Sequence, residues 1–265
     1  MSSDKKVAIV TGGAMGYKAG GDSIGGAISI RLAKDGHKVV VVDLGDMGQR
    51  TVDIIKESGG EAVFIRADAT KTDEVQKIIH ETKKLYGGLT CLVNCVARYS
   101  AGMAKNVAEI SEEEWNDTLE VNLNGYFKIC KYSIPLMLES GGGTIINISS
   151  VGSLSALPDF SVYSVSKAAI DALTRTMAVD FAPKIRSNSV IPGFVKIANS
   201  ENNRTPEQLE AWYKDIAKQY PMRRVCEVDE IANVVSFLAS DQSSYINGQS
   251  IVVDGGKTIA DTHEF

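Results

Sequence analysis

The sequence predicts a doubly wound α/β fold: one domain built on a parallel sheet of seven strands with helices on both faces. Two observations predict it. Short apolar runs alternate with longer amphipathic segments from one end of the chain to the other, which is the pattern of repeated strand-helix units. Several of the apolar runs are solid Val and Ile, as strands buried on both faces must be. Length agrees, since 265 residues, 44% hydrophobic and 23% charged, suit a single core and leave little for a second domain.

The first strand is 7–11, Val-Ala-Ile-Val-Thr, and a glycine-rich turn carries it into a helix over 23–34. Four consecutive valines in 38–43 make the second strand, and a helix over 47–58 leads to a third strand at 62–67. Asp68-Ala-Thr-Lys-Thr-Asp73 supplies candidate caps for a helix over 72–86, after which 89–94 forms the fourth strand. Ser111-Glu-Glu-Glu114 is a capping box opening a long helix over 111–139. A fifth strand follows at 144–149, a helix at 162–181 and a sixth strand at 185–191. Residues 194–204 turn polar before Thr205-Pro-Glu-Gln208, where Pro takes the first position of a helix over 205–220. That helix carries Trp212 and Tyr213, so 194–220 is expected to form a lid over a substrate pocket. A helix over 228–240 and a last strand at 250–253 complete the pattern.

The formal charge of −5 and pI near 5.4, with Lys and Arg scattered, argue against a nucleic-acid partner. No apolar run is long enough to span a membrane, and Met-Ser-Ser-Asp-Lys-Lys before the first strand is too short for a secretory signal. A cytoplasmic location is expected. Cys91, Cys95, Cys130 and Cys226 lack paired CxxC spacing or a histidine cluster; they read as buried reduced thiols, and no metal is expected. Cys91 and Cys95 share parity and face the same side of the sheet.

From Thr11 to Ala27 the chain reads Thr-Gly-Gly-Ala-Met-Gly-Tyr-Lys-Ala-Gly-Gly-Asp-Ser-Ile-Gly-Gly-Ala. Such a strand-to-helix turn lets the backbone approach a pyrophosphate and sets it on the unsatisfied N–H groups of the helix start. The second strand ends at Asp43, whose carboxylate can accept both hydroxyls of an adenosine ribose and repels a 2′-phosphate. NAD is therefore the expected cofactor and NADP the less favoured one, with Lys18 in the glycine turn the consideration against.

Tyr163 and Lys167 stand four apart in a helical segment and project from one face. A neighbouring ammonium favours phenolate and brings a phenol of reference pKa about 10 toward acid–base use. Ser150 stands at the end of the fifth strand, at the edge where sites of parallel sheets assemble, and can hydrogen-bond a substrate oxygen.

Thr11-Gly12 with Ser23-Ile24-Gly25, Asp43, Asp68-Ala69, Asn94, Val121-Asn122, 145–150, Tyr163-Ser-Val-Ser-Lys167, Asn188, Pro192-Gly193 and Val253-Asp-Gly-Gly256 together resemble the short-chain dehydrogenase/reductase family. The resemblance runs from Val7 to Gly256 and implies a Rossmann-type fold. It implies that Tyr163 is the general acid and base, that Ser150 fixes the substrate oxygen, and that Lys167 binds the nicotinamide ribose while lowering the tyrosine pKa. Asn122 is implied to anchor a water in a proton relay. For the cofactor it implies Gly12, Ser23, Ile24 and Gly25 at the pyrophosphate, Asp43 at the adenosine ribose and Asp68 and Ala69 beside adenine. Asn94 is implied behind the ribose, and Pro192 to Val195 at the carboxamide. Family members are commonly homotetramers paired through two long helices, so a homotetramer or homodimer is expected.

Three departures from the family pattern stand out. Ten residues separate Gly12 from Ser23, seven more than the pattern allows, and a flap over 13–22 with Tyr17 or Lys18 on the cofactor is expected. Ala97 replaces a glycine of the family's N-N-A-G, and Ile197 replaces a threonine near the carboxamide. Arg98 lies in the loop the family uses as a pocket wall and is a candidate for a substrate carboxylate or phosphate. The implied activity is interconversion of a secondary alcohol and a ketone, on a polyol, hydroxysteroid, hydroxy acid or 3-oxoacyl thioester. The rival readings are an enoyl reductase, disfavoured by the short Tyr163 to Lys167 spacing, and a catalytically silent NAD(H)-binding sensor or scaffold.

Overall fold

The computed structural model describes residues 6–16, 23–99, 105–198 and 204–261. The expected contacts of Tyr17 and Lys18, and parts of the expected pocket wall and lid at 100–103 and 199–203, lie outside the described residues.

Seven strands form one parallel sheet: β1 (Val7–Thr11), β2 (Lys38–Asp43), β3 (Ala62–Arg66), β4 (Cys91–Asn94), β5 (Gly143–Ile148), β6 (Ile185–Pro192) and β7 (Ser250–Val253). Their order across the sheet is β3-β2-β1-β4-β5-β6-β7, and every neighbouring pair runs parallel. Parallel neighbours need crossovers, and helices supply them on both faces: α1 (Ile24–Lys34), α2 (Gly48–Glu57), α3 (Thr72–Tyr86), α4 (Glu112–Leu119), α5 (Gly125–Glu139), α6 (Ser161–Asp180), α7 (Pro206–Ala217) and α8 (Val228–Ala239).

The period of two along each strand divides the core. Ala8, Val10, Val39, Val41, Cys91, Val93, Ile146 and Val190 meet Ile28 and Leu32 of α1, Ile55 of α2 and Ile231 and Val235 of α8. Their neighbours Val7, Ile9, Val40, Val42, Leu92, Ile145 and Ile185 meet Ile78 of α3, Ile129 and Met137 of α5 and Met177 of α6. Both faces are thus dry, which explains the unbroken Val and Ile runs. Burying each such side chain contributes about 1.5–3 kcal/mol before chain entropy is counted.

Several expectations are corrected. The helix expected over 111–139 is interrupted by a π turn, Glu120–Asn124, between α4 and α5. Asp68 and Asp73 do not cap α3, whose N-cap is Lys71 without a side-chain bond. Asp68 instead accepts from the N–H and hydroxyl of Thr70, while Glu74 reaches back to the Asp68 N–H at 2.8 Å. Ser23 is the N-cap of α1 and lies just outside it. All four cysteines are free, but only Cys91 and Cys130 are buried; Cys95 and Cys226 are half-buried. Cys91 and Cys95 do pack on the same face.

Candidate active site

The residues singled out by the sequence converge on the carboxyl ends of the strands. β1 and β4 are neighbours there, with the crossovers departing to opposite sides, so a crevice opens between the two halves of the sheet. At the end of β1 the glycine turn is tight. Gly12 has φ of +65° and approaches the backbone of Val96, and a Cβ at Gly25 would stand 1.9 Å from the Gly12 carbonyl oxygen. The Ser23 hydroxyl accepts from the Gly26 N–H at 3.0 Å, capping the helix that Ile24 begins.

Asp43, at the end of β2, accepts from the N–H groups of Ala14 at 3.3 Å and Gly45 at 3.1 Å, which fixes its carboxylate against the glycine turn. Asp68 and Ala69 follow the end of β3. Asn94 is fully buried in a polar row that crosses the sheet: it accepts from the Thr11 hydroxyl and donates to Asn147 at 2.8 Å, which donates to Thr174 of α6 at 2.8 Å. The row ties β1, β4, β5 and α6 together at the level of the site. Pro192 ends β6, and Val195 is buried and bridged to Cys226.

Ser150, two residues beyond β5, accepts from the Gly152 N–H at 3.2 Å and shares a hydrogen bond with the phenol of Tyr163. Lys167, one turn further along α6, is only 1% exposed. Its ammonium donates to the Ile148 carbonyl at 2.9 Å and lies 5.7 Å from the centre of the Tyr163 ring. Burial pushes the Lys167 ammonium down to about 8. The expected depression of the Tyr163 phenol by Lys167 is not what this arrangement gives. Burial holds the phenol above its ordinary value, and the group opposing that is Ser150. The Lys167 ammonium instead directs its hydrogen bond to the Ile148 carbonyl.

Asn122 lies on the π turn and its side chain makes three hydrogen bonds. Oδ1 accepts from the Arg98 N–H at 2.6 Å, and Nδ2 donates to the Arg98 carbonyl and the Ser166 hydroxyl, each at 3.2 Å. The carboxamide therefore clamps the loop after β4 onto α6; its Oδ1 keeps one further lone pair. The Arg98 side chain pairs with Asp117 at 3.2 Å, so its charge is answered within the chain.

Tyr126 was not singled out from the sequence, whereas Tyr99 and Phe160 fall in stretches expected to line the pocket. Tyr99 stacks on Phe160 with ring centres 5.2 Å apart, meets the Tyr163 ring edge-on at 5.2 Å, and remains 59% exposed. Tyr126 is buried one turn after Asn122, and its single hydroxyl hydrogen lies between the carbonyls of Val96, 3.0 Å away, and Ile148, 3.2 Å away, joining the loop to the end of β5. The signal for Tyr126 was its spacing of four from Asn122. On the lid side, α7 has no buried side chain, and Phe194 meets Trp212 at 5.2 Å while Arg204 lies over the Trp212 ring.

A family profile described as "Enoyl-(Acyl carrier protein) reductase" matches residues 19–258. The chain belongs to the short-chain dehydrogenase/reductase family. Among its relatives in the family, an uncharacterized oxidoreductase of Thermotoga maritima is 36% identical, covering 97% of this chain and 99% of that protein. The 3-oxoacyl-[acyl-carrier-protein] reductase FabG of Staphylococcus epidermidis is also 36% identical, over 95% of this chain and 98% of that protein. The ligand-free aldohexose dehydrogenase of Thermoplasma acidophilum superposes with a TM-score of 0.86 at 33% identity, covering 99% of this chain and 98% of that one. This short-chain dehydrogenase/reductase is an oxidoreductase acting on a small molecule, in a family that binds nicotinamide cofactors. No helix among the described residues is long and apolar enough to cross a membrane.

Proposed function

We propose that this protein is an NAD-dependent oxidoreductase that interconverts a secondary alcohol and a ketone, with Tyr163 as general acid and base. The observation that carries the reading is the convergence of Ser150, Tyr163 and Lys167 at the carboxyl edge of the sheet, beside the crevice between β1 and β4. A phenol raised by burial keeps its proton until a bound oxygen needs it.

The residues fit a dinucleotide. The close approach of Gly25 to Gly12 leaves the start of α1 and its N–H groups at the mouth of the turn for a pyrophosphate, with Ser23 and Ile24 on its rim. Asp43 would take the adenosine ribose hydroxyls, which supports NAD over NADP, with Asp68 and Ala69 beside adenine. Asn94 would back the ribose that Lys167 holds, and Pro192 to Val195 would meet the carboxamide. The nicotinamide, when bound, supplies or accepts hydride. Tyr163 gives its phenolic proton to the ketone oxygen in reduction and receives it back in oxidation. Ser150 hydrogen-bonds the same oxygen where negative charge develops.

Two structural facts bear on the substrate. Arg98 is already paired with Asp117, and the wall beside Tyr163 is the Tyr99 and Phe160 stack. They favour an uncharged substrate with an apolar face over the anionic one that Arg98 alone suggested. The names of the relatives, a 3-oxoacyl reductase and an aldohexose dehydrogenase, concern carbonyl and alcohol carbons, and the spacing of Tyr163 and Lys167 favours that chemistry over the C=C reduction in the profile's description. Exposed Phe127 and Leu138 on α5 and Val165 and Val179 on α6 give these helices apolar faces suited to a second copy of the chain, in a homodimer or homotetramer.

The test is an NAD-coupled absorbance screen over polyols, hydroxysteroids, hydroxy acids and 3-oxoacyl thioesters, with Tyr163→Phe as the blank. Turnover of at least one class that the blank lacks supports the reading. NADH binding with no turnover of any class supports the silent sensor instead.

A further inference from the structure

Pro192, Gly193, Phe194 and Val195 carry no polar side chain, so whatever this segment offers a bound molecule it offers from its backbone. That backbone is held on one side by the chain that follows α7 and β7. Gly193 donates to the Val253 carbonyl at 2.9 Å. Phe194 is clamped at both of its polar groups: its N–H donates to the Tyr220 hydroxyl at 2.9 Å, and its carbonyl accepts from the Cys226 N–H at 3.2 Å. The Lys196 N–H then donates to the Cys226 carbonyl at 2.8 Å. Among these four bonds the one made by a side chain is that of Tyr220.

Tyr220 is itself fixed. It lies three residues beyond α7 and is 5% exposed. Its ring packs directly on the Gly193 backbone, where a Cβ would stand 3.1 Å from the ring and 3.0 Å from the Asp254 Cα. Gly255 lies against another edge of the ring, and the Lys257 ammonium stands 5.1 Å from the ring centre. Asp254 closes the turn beneath it, accepting from the N–H groups of Gly256 at 2.9 Å and Thr258 at 2.7 Å. The phenol is therefore a rigid post against which the end of β6 is set.

We propose that Tyr220 is a positioning residue for the nicotinamide: its buried hydroxyl holds the Phe194 N–H and so presents the backbone of Pro192 to Val195 to the carboxamide in a preformed conformation. The placement of the carboxamide rests on the function proposed above. Ile197, where the family has threonine, brings no side-chain hydroxyl to this segment, which leaves recognition to the backbone that Tyr220 fixes. A segment ordered before binding spares the ligand the cost of ordering it.

The experiment compares, by calorimetry, the binding of NADH and of ADP-ribose, the same dinucleotide without its nicotinamide, to wild-type protein and to Tyr220→Phe. The substitution keeps the ring on Gly193 and removes only the hydroxyl. Loss of that acceptor is expected to weaken NADH about 10-fold and to leave ADP-ribose within about 2-fold of wild type. The KM for NAD rises by the same factor. A role confined to folding moves both ligands together or neither. A folded Tyr220→Phe protein that binds both as wild type does, or loses both alike, overturns the proposal. Should that variant not fold, the wild-type protein decides: the Phe194 amide must exchange slowly with solvent before any ligand is added, and rapid exchange there overturns the proposal. A protein that shows the split in binding yet turns over nothing sinks the proposed activity and leaves the role of Tyr220 standing.

Discussion

Lys167 is a place where function and stability pull apart, and Lys167→Met measures by how much. The ammonium falls from 10.5 in solution to about 8 in the fold because burial disfavours its charge. At about 1.4 kcal/mol per unit, holding it charged at pH 7 costs about 3 kcal/mol. Methionine keeps the apolar stem and removes that cost. It also forfeits the bond to the Ile148 carbonyl, about 1 kcal/mol, and the contacts with two aromatic faces, about another 1 kcal/mol. The net is a stabilisation of about 1–2 kcal/mol, or roughly 2–8 °C in melting temperature for a chain of this size. The sign with pH follows. Between about 8 and 10.5 the unfolded chain holds a proton at this lysine that the folded one has lost, so wild-type stability from this group rises across that window. The advantage of Lys167→Met is therefore full below pH 8 and fades toward 10.5. Thermal unfolding of both proteins from pH 7 to 10 reads this directly. A variant less stable than wild type at pH 7, or an advantage that does not shrink with pH, refutes the reasoning.

Other substitutions probe the remaining parts of the site. Asn122→Ala leaves the Arg98 N–H and carbonyl without their partner and is expected to lower stability by about 1–3 kcal/mol, with faster hydrogen exchange in 95–99 as the specific sign. Asp43→Ala is expected to raise KM for NAD by about 10-fold or more and to narrow the preference over NADP, read from initial rates with each cofactor. Tyr99→Ala, which removes the outer ring of the stack, is expected to lower kcat/KM for ring-bearing substrates about 5–10-fold relative to linear ones, with Tyr99→Phe near wild type.

What the sequence made legible, and what it hid, divides along physical lines. β1 and β2 fall where their Val and Ile runs end, because a strand buried on both faces has no tolerance for polar residues; β7, at the sheet edge and only half-buried, also keeps its expected bounds. The site residues were legible as far as chain-local spacing carries them: Tyr163 with Lys167 on one helix face, Ser150 and Asp43 at strand ends. The π turn at Glu120–Asn124 was not, since those five residues carry no Gly or Pro to mark a break. The turn is set by distant partners, with Asn122 held to Arg98 and Ser166. Arg98 looked available for a substrate because its partner Asp117 is nineteen positions away on another element. Pro135 sits within α5 without ending it.

The central claim, that the phenol of Tyr163 moves the proton that accompanies hydride transfer, is tested most directly by Tyr163→Phe. The variant keeps the ring and its packing and loses only the hydroxyl. NADH binding, read by fluorescence titration, is expected to stay within a few-fold of wild type, while kcat for the best alcohol or ketone found in the screen falls by about 10²–10⁴-fold. Turnover by Tyr163→Phe at the wild-type rate would contradict the account.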